Sequence, residues 1–133
     1  MARATLDAMA QGFEESWRPL GDAYLTDLLA RPDLIVLAAL VGDHVVGGLT
    51  AHVLPMTRAE EREVFIYDLA IAPACQRRGA GAALVAEVRA VAAAIGAANV
   101  FVPTDVEDVE AVRFYRAIGG DEAPVAMFTF LPR

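Results

Sequence analysis

Three groups of residues in this chain have types and spacing that could do chemistry. The first is Gln76-Arg77-Arg78-Gly79-Ala80-Gly81-Ala82, set between an apolar run and an alanine-rich stretch. Glycine lets the backbone approach a ligand closely and take dihedrals that other residues avoid. If a helix starts here, its first N–H groups lack partners and lie at the positive end of its dipole. Such a turn is a phosphate cradle, and Arg77 and Arg78 add positive charge beside it. The competing reading is a tight strand-to-helix turn with two solvated arginines. A dinucleotide fingerprint fails, because its third glycine position is Leu84. A Walker A loop fails too, because no Gly-Lys-Ser/Thr run exists.

The second group centres on Asp68, an acid inside the apolar run EVFIYDLAI. An unpaired buried charge is costly, so a carboxyl there is either functional or a structural hydrogen-bond acceptor. Strict alternation puts Asp68 with Ile66 and Ala70 on one face of a strand. Glu63, Phe65 and Tyr67 then share the other face, which would keep Glu63 and Asp68 apart. The third group is Asp105, Glu107, Asp108 and Glu110, four carboxylates in six residues. They read as a patch for a cationic substrate or as helix capping, with Asp108 well placed as an N-cap. Glu60, Glu61 and Glu63 read as a solvated loop. His52 reads as a packed or surface side chain, and His44 sits in a turn. Cys75 has no His or Cys partner in the sequence pattern, and no metal-ligand spacing occurs.

The elements that position these groups follow from pattern. Residues 5–17 and Asp22 to Ala30 read as helices, the second stopping before Arg31-Pro32. Leu34 to Val41 is a continuous apolar run, as in a strand buried on both faces. A turn at Gly42-Asp43-His44 leads to a partner strand, Val45 to Leu54. Gly47 and Gly48 there predict a bulge or a close backbone approach. Residues 55–62 form a loop, Glu63 to Ile71 a strand, and a helix follows the glycines as far as Ile95. Asn99 to Pro103 is a short strand, Val109 to Ile118 a helix, and Ala123 to Leu131 a last strand. The order α-α-β-β-β-α-β-α-β describes an α/β (α+β) fold with helices packed on a mixed sheet.

Composition bounds the rest. A chain of 133 residues, 56% hydrophobic and 22% charged, is expected to form one domain, 1–133, with a true core. Eleven basic against 18 acidic residues leave a net charge of −7. A nucleic-acid partner is not expected, since that needs clustered Lys and Arg. No apolar segment approaches the roughly 18 residues of a membrane span. The N-terminus lacks the apolar core of a signal peptide, so no membrane partner and a cytoplasmic location are expected.

Two segments of the chain together resemble a known family. Asp68-Leu-Ala-Ile-Ala-Pro73 … Gln76-Arg-Arg-Gly-Ala-Gly-Ala-Ala-Leu84 is similar to the acetyl-CoA-binding core of the GCN5-related N-acetyltransferases (GNAT). Ala111-Val-Arg-Phe-Tyr115 … Ile118-Gly119 looks like the A-x-x-F-Y-x-x-x-G helix of the same family. The two stand at the family's usual separation with a strand between them. Further likeness is to the type I aminoglycoside (gentamicin) 3-N-acetyltransferases. It lies in Tyr24-Leu, Leu28-Leu, Ala51-His-Val-Leu-Pro55, Ile66-Tyr-Asp-Leu-Ala70 and the acidic stretch 105–110. The resemblance implies a GNAT-like mixed, mainly antiparallel twisted sheet flanked by helices, here lacking the usual first edge strand.

The resemblance also implies roles. Acetyl-CoA is the donor and CoA the product, with direct acetyl transfer to a primary amine in a ternary complex. The main chain of Leu69, Ala70 and Ile71 would hold the thioester and the pantetheine arm. Gln76, Arg77, Arg78, Gly79, Ala80, Gly81 and Ala82 would hold the pyrophosphate. Tyr115 matches the tyrosine that donates to the CoA sulfur, with Phe114 packing in the core. An aliphatic amine, with a pKa of about 10.4, arrives protonated and must lose a proton before it attacks. Asp68 is the expected base. Tyr67, Asp105, Glu107, Asp108 and Glu110 are the expected acceptor-side residues. The acceptor is a polycationic aminoglycoside, or alternatively a polyamine, another amino sugar or a protein lysine. A non-catalytic acyl-CoA sensor is the reading from a different class. A homodimer is expected, because a missing edge strand leaves an exposed sheet edge.

Overall fold

The computed structural model describes residues 1–12 and 17–133. It divides into two compact units, Met1–Pro103 and Thr104–Arg133. The first unit carries helix α1 (Ala2–Ala10), helix α2 (Asp22–Leu29) and strands β1 (Leu34–Val41), β2 (His44–Pro55) and β3 (Arg62–Ile71). Helix α3 (Ala80–Ala94) and strand β4 (Asn99–Phe101) complete it. The second unit carries helix α4 (Val109–Ala117). The helix expected over residues 5–17 begins earlier and closes at Ala10; the part of it at 13–16 lies outside the described residues.

The sheet runs in sequence order, β1-β2-β3-β4. The first two pairings are antiparallel and β3–β4 is parallel, so the sheet is mixed and mainly antiparallel. α3 supplies the crossover that a parallel pair requires. The apolar run of β1 led to the expectation of a strand buried on both faces. Instead β1 is the sheet edge: only Ala39 is buried, and Leu40 and Val41 are exposed. A continuous apolar run records low polarity, not the number of neighbours a strand finds.

Two apolar clusters lie on opposite faces. On one face, Leu84, Val88 and Ala92 of α3 pack on Leu49 and Ala51 of β2 and Val64, Ile66 and Ile71 of β3. On the other, Leu6 and Met9 of α1 and Leu25 of α2 pack with Ala70 of β3. Gly48 of β2 explains how α1 gets so close. A Cβ on Gly48 would collide with the Thr5 Cγ2 methyl of α1 and the Leu37 carbonyl of β1. The register also shifts here: Ala39 faces Gly47 and Leu40 faces Val45, leaving Val46 as an extra residue. The expectation of a bulge or a close backbone approach at these glycines therefore holds, and both occur.

A second register shift governs β3. Thr50 pairs with Asp68, but Ala51 pairs with Ile66, so Tyr67 is an extra residue with no partner on β2. A one-residue bulge resets the alternation beyond it. Val64 and Ile66 point into the α3 cluster, and past the bulge so do Leu69 and Ile71, while Ala70 joins the α1 cluster. This corrects the sequence-based face assignment. Asp68 does not share a face with Ile66; it shares the α1 face with Ala70, and with Glu63 and Phe65 before the bulge. Period-2 reasoning fails because it assumes an unbroken ladder.

The strand expected over Ala123–Leu131 does not form. Residues 121–133 carry no helix or strand, and Val125, Met127, Phe128, Phe130 and Leu131 are each at least 74% exposed. A strand needs a neighbour to take its backbone hydrogen bonds, and this segment's own unit contains only α4. Phe114, expected in the core, is only half-buried on α4.

The close approach at Gly48 is testable. Gly48→Ala is expected to cost about 1–3 kcal/mol, read from the denaturant midpoint. Adding Thr5→Ser removes the methyl that the new Cβ meets. The double variant should regain part of the loss, whereas additive losses would place the clash elsewhere.

Candidate active site

The turn after β3 presents donors and positive charge that would suit an anion. A short 3-10 turn, Pro73–Cys75, leaves the end of β3. The Gln76 side-chain amide then donates back to the Ile71 carbonyl at 2.9 Å, pinning the loop to the strand. Arg77 follows in the left-handed region at φ 64°, and Gly79 is left-handed at φ 86°. Holding a non-glycine residue there costs on the order of 1 kcal/mol, so the rest of the turn must impose it. Gly79 is the N-cap of α3, and no side chain caps the helix. The first intrahelical bond seen here runs from the Ala83 N–H to the Gly79 carbonyl at 3.0 Å. The N–H groups of Ala80, Gly81 and Ala82 therefore have no acceptor within the helix.

The first turn of α3 holds no acidic residue, and the space a Gly79 side chain would fill is open. Arg77 and Arg78 are exposed beside it. A diphosphate complements this turn in charge, donor supply and room, so the residues fit the pyrophosphate of a CoA thioester. The sequence placed Gln76 in the anion-binding set. Its side chain is spent on the Ile71 carbonyl, so it acts by holding the loop.

The strand leading into this turn is open along one edge. β4 pairs with β3 only from Glu63 to Phe65, whereas β2 follows β3 all the way to Ile71. From Ile66 to Ile71 no strand lies on the β4 side among the described residues. The Leu69 and Ile71 side chains are committed to the α3 cluster and Ala70 to the α1 cluster. What this segment can offer a ligand is its main chain, as the sequence resemblance implied. The Ile71 carbonyl is already taken by Gln76.

Asp68 stands at the bulge on the α1 face, half-buried, opposite Thr50. Burial holds its carboxyl above the ordinary carboxylate range. No hydrogen-bond or ion-pair partner for it occurs among the described residues, which argues against a structural acceptor tied into a network. Around it on the same face lie rings that the sequence did not connect. Phe65 stacks on Phe101 at 5.0 Å and 13°. Tyr67 meets Phe65 at 5.6 Å and the His52 imidazole edge-on at 5.8 Å. Asn99 donates to Glu63 at 3.1 Å. The signal was available in part, since 63, 65 and 67 alternate. Without the bulge, though, Asp68 could not be added to them.

The second unit carries the other expected residues. Asp108 is the N-cap of α4, its carboxylate accepting from the Ala111 N–H at 3.2 Å. Asp105 accepts from the Glu107 N–H at 2.9 Å and closes the preceding turn. The capping account of Asp108 therefore holds, and all four of Asp105, Glu107, Asp108 and Glu110 remain exposed. Tyr115 is half-buried on α4. Burial, and then the Asp108 carboxylate, raise its phenol above the ordinary value, so it keeps its proton at neutral pH. Among the described residues no cluster of metal-ligating side chains occurs, and no helix is long and apolar enough to cross a membrane.

No curated protein matches the chain. Among solved structures it is similar to HMB0005, an aminoglycoside acetyltransferase from an uncultured soil metagenomic sample. The two share 34% identity and a TM-score of 0.83, over 98% of this chain and 90% of that one. It is also similar to meta-AAC0020, a second such soil enzyme, solved in complex with sisomicin. There the identity is 27% and the TM-score 0.87, over 100% and 93% of the two chains. AAC(6')-Iy, bound to a bisubstrate analogue of CoA and acetylneamine, shares the fold at 19% identity and a TM-score of 0.79. That match covers 100% of this chain and 95% of the other.

Asp68 makes a prediction about stability. Its folded-state pKa lies above the unfolded value near 3.8, so the charged form penalises the folded state. That penalty is fully present above the folded pKa and vanishes below the unfolded one. Asp68→Asn should therefore raise the melting temperature at pH 7. The gain should shrink as pH falls toward about 4. A gain independent of pH would mean the carboxyl is not desolvated.

The glycine turn before α3, the open strand edge and the raised carboxyl fall within residues 2–119, which match the acetyltransferase (GNAT) family model, and the chain belongs to that family.

Proposed function

We propose that this acetyltransferase moves acetyl from acetyl-CoA to a primary amine of an aminoglycoside, by direct transfer in a ternary complex, with gentamicin-type 3-N regiochemistry. The observation that carries the reading is Asp68: a half-buried carboxyl, raised by burial, on the strand that ends in the anion-binding turn. A carboxyl with a raised pKa is a better proton acceptor from an ammonium than an ordinary one. The likeness to two soil aminoglycoside acetyltransferases supports the acceptor class.

Each residue has one task in this reading. The N–H groups at the start of α3 hold the pyrophosphate, with Arg77 and Arg78 beside them. Main-chain groups along Leu69 to Ile71 orient the pantetheine arm and the thioester. The donor supplies an acyl group activated as a thioester. Asp68, directly or through water, takes the proton from the incoming ammonium. Tyr115, assigned by its place in the Ala111-to-Gly119 motif, protonates the departing thiolate. Tyr67 and the carboxylates of Asp105, Glu107, Asp108 and Glu110 attract the acceptor's remaining ammonium groups. The homodimer expected from the sequence belongs to this reading. The exposed edge of β1 and the exposed apolar side chains of 125–131 support it.

CoA release should be seen with gentamicin, sisomicin and fortimicin, and be weaker with spermidine, glucosamine and a lysine peptide. Turnover only with the latter group would overturn the acceptor class. Acetyl-CoA binding with no turnover on any amine would favour a sensor. Tyr115→Phe should lower kcat by about 10- to 100-fold with little change in acetyl-CoA affinity. An unchanged kcat would remove Tyr115 as the acid. For Asp68→Asn, the acid limb of the pH–rate profile should flatten. In the unaltered protein that limb should lie above the ordinary carboxylate pKa of about 4. An unaltered limb in the variant would remove Asp68 as the base.

A further inference from the structure

The α1 face of the sheet has two halves. α1 and α2 cover the half around Gly48 and Ala70 through Leu6, Met9 and Leu25. The other half carries a continuous row of rings across three strands. Phe101 of β4 stacks on Phe65 of β3, Phe65 touches Tyr67, and Tyr67 meets His52 of β2. The row is open to solvent: Tyr67 is 63% exposed and Phe101 38%. Cross-strand aromatic pairs do stabilise sheets. That account covers Phe65 and Phe101, whose rings lie nearly parallel in a cross-strand pair. It does not cover Tyr67. Tyr67 is the bulge residue, has no ladder partner on β2, and beyond its edge contact with His52 leaves most of its ring in water. An exposed aromatic held by a bulge is a surface offered to something else.

Charge narrows what that something is. Glu63 and Asp68 lie on the same face at either side of the rings, and Asn99 fixes the Glu63 carboxylate. No Lys or Arg of the strands shares this face between them. A ligand suited to it is flat and apolar on one side and cationic at its rim. A saturated ring bearing several ammonium groups has that chemistry. Its C–H face packs on aromatic rings, and its ammonium groups find both ring faces and carboxylates. A linear polyamine offers the charge without the face.

We infer that Phe101, Phe65, Tyr67 and His52 form a stacking platform that selects a cyclic polyamine, an aminocyclitol or amino-sugar ring, over a linear one. The inference rests on the proposed acetyl transfer in naming the acceptor's class, and it places the acceptor ring on the β3–β4 half of the face. The platform sets specificity. The ring face is recognised here, and the carboxylates at its two ends register the ammonium groups. Tyr67, joined to Asp68 through the bulge, couples recognition of the ring to the position of the proposed base.

The test measures binding directly as well as turnover. Sisomicin and spermidine are titrated by calorimetry into the full chain with CoA present, for the unaltered protein and for Tyr67→Leu, Tyr67→Phe and Phe65→Leu. CoA binding by each variant reports that the fold is intact. In Tyr67→Leu and Phe65→Leu, sisomicin affinity should fall about tenfold more than spermidine affinity. Tyr67→Phe should keep most of the selectivity, because it keeps the ring. Equal losses for the two ligands, or unchanged sisomicin affinity, would overturn the platform. So would an unaltered protein that binds sisomicin no better than spermidine. Ring-dependent sisomicin binding with no acetyl transfer to any amine would uphold the platform while the transfer reading fails. Acetyl transfer that is indifferent to the Leu variants would uphold the transfer and overturn the platform.

Discussion

One extra residue in one strand organises this molecule's chemistry. Tyr67 has no partner across the β2–β3 ladder, and the alternation of β3 turns over at that point. Before the bulge, Val64 and Ile66 fill the core under α3; after it, Leu69 and Ile71 do. Both halves of the strand therefore stay anchored, and the consequences of the insertion appear on the opposite face. There Tyr67 and Asp68 emerge together, a ring in solvent beside a half-buried carboxyl. A regular strand could present one or the other, never both.

The same strand connects that carboxyl to the glycine turn that opens α3. β4 stops pairing at Phe65, while β2 continues to hold β3 as far as Ile71. The segment between is paired on one edge and open on the other. Beyond it, the loop is held by the Gln76 amide on the Ile71 carbonyl and bent through two left-handed residues. The first N–H groups of α3 are delivered at a fixed place relative to the strand end. In the proposed reading, cofactor binding, orientation and the base are laid out along about fifteen consecutive residues, Asp68 to Ala82.

Gly48 in β2 does a different job. It removes a side chain where α1 must come close, so α1 and α2 cover one half of the face and leave the other half to the rings. In the second unit the acidic residues serve local structure first: Asp105 closes a turn and Asp108 caps α4. A carboxylate accepting one N–H still has lone pairs and charge to offer, so capping and attraction of a cation are compatible.

The sequence by itself determined what depends on neighbouring residues. Gly79 and Gly81 after an apolar run specify a strand, a tight turn and a helix start, because backbone freedom is a local property. Asp108 as a cap, the β1–β2 hairpin and the glycine approach in β2 were legible for the same reason. With the Ala111-to-Gly119 motif, these were enough to identify the family. Only the tertiary structure decided the rest. Whether LIVLAALV becomes a central or an edge strand depends on how many neighbours it acquires, and apolar residues suit either. Ala123–Leu131 has strand-forming residues and no ladder, since a strand exists only by pairing. Above all, the face on which Asp68 sits depends on a register shift between strands distant in sequence. Sequence alternation carries no record of such a shift, because a bulge is a property of two chains in register and not of one.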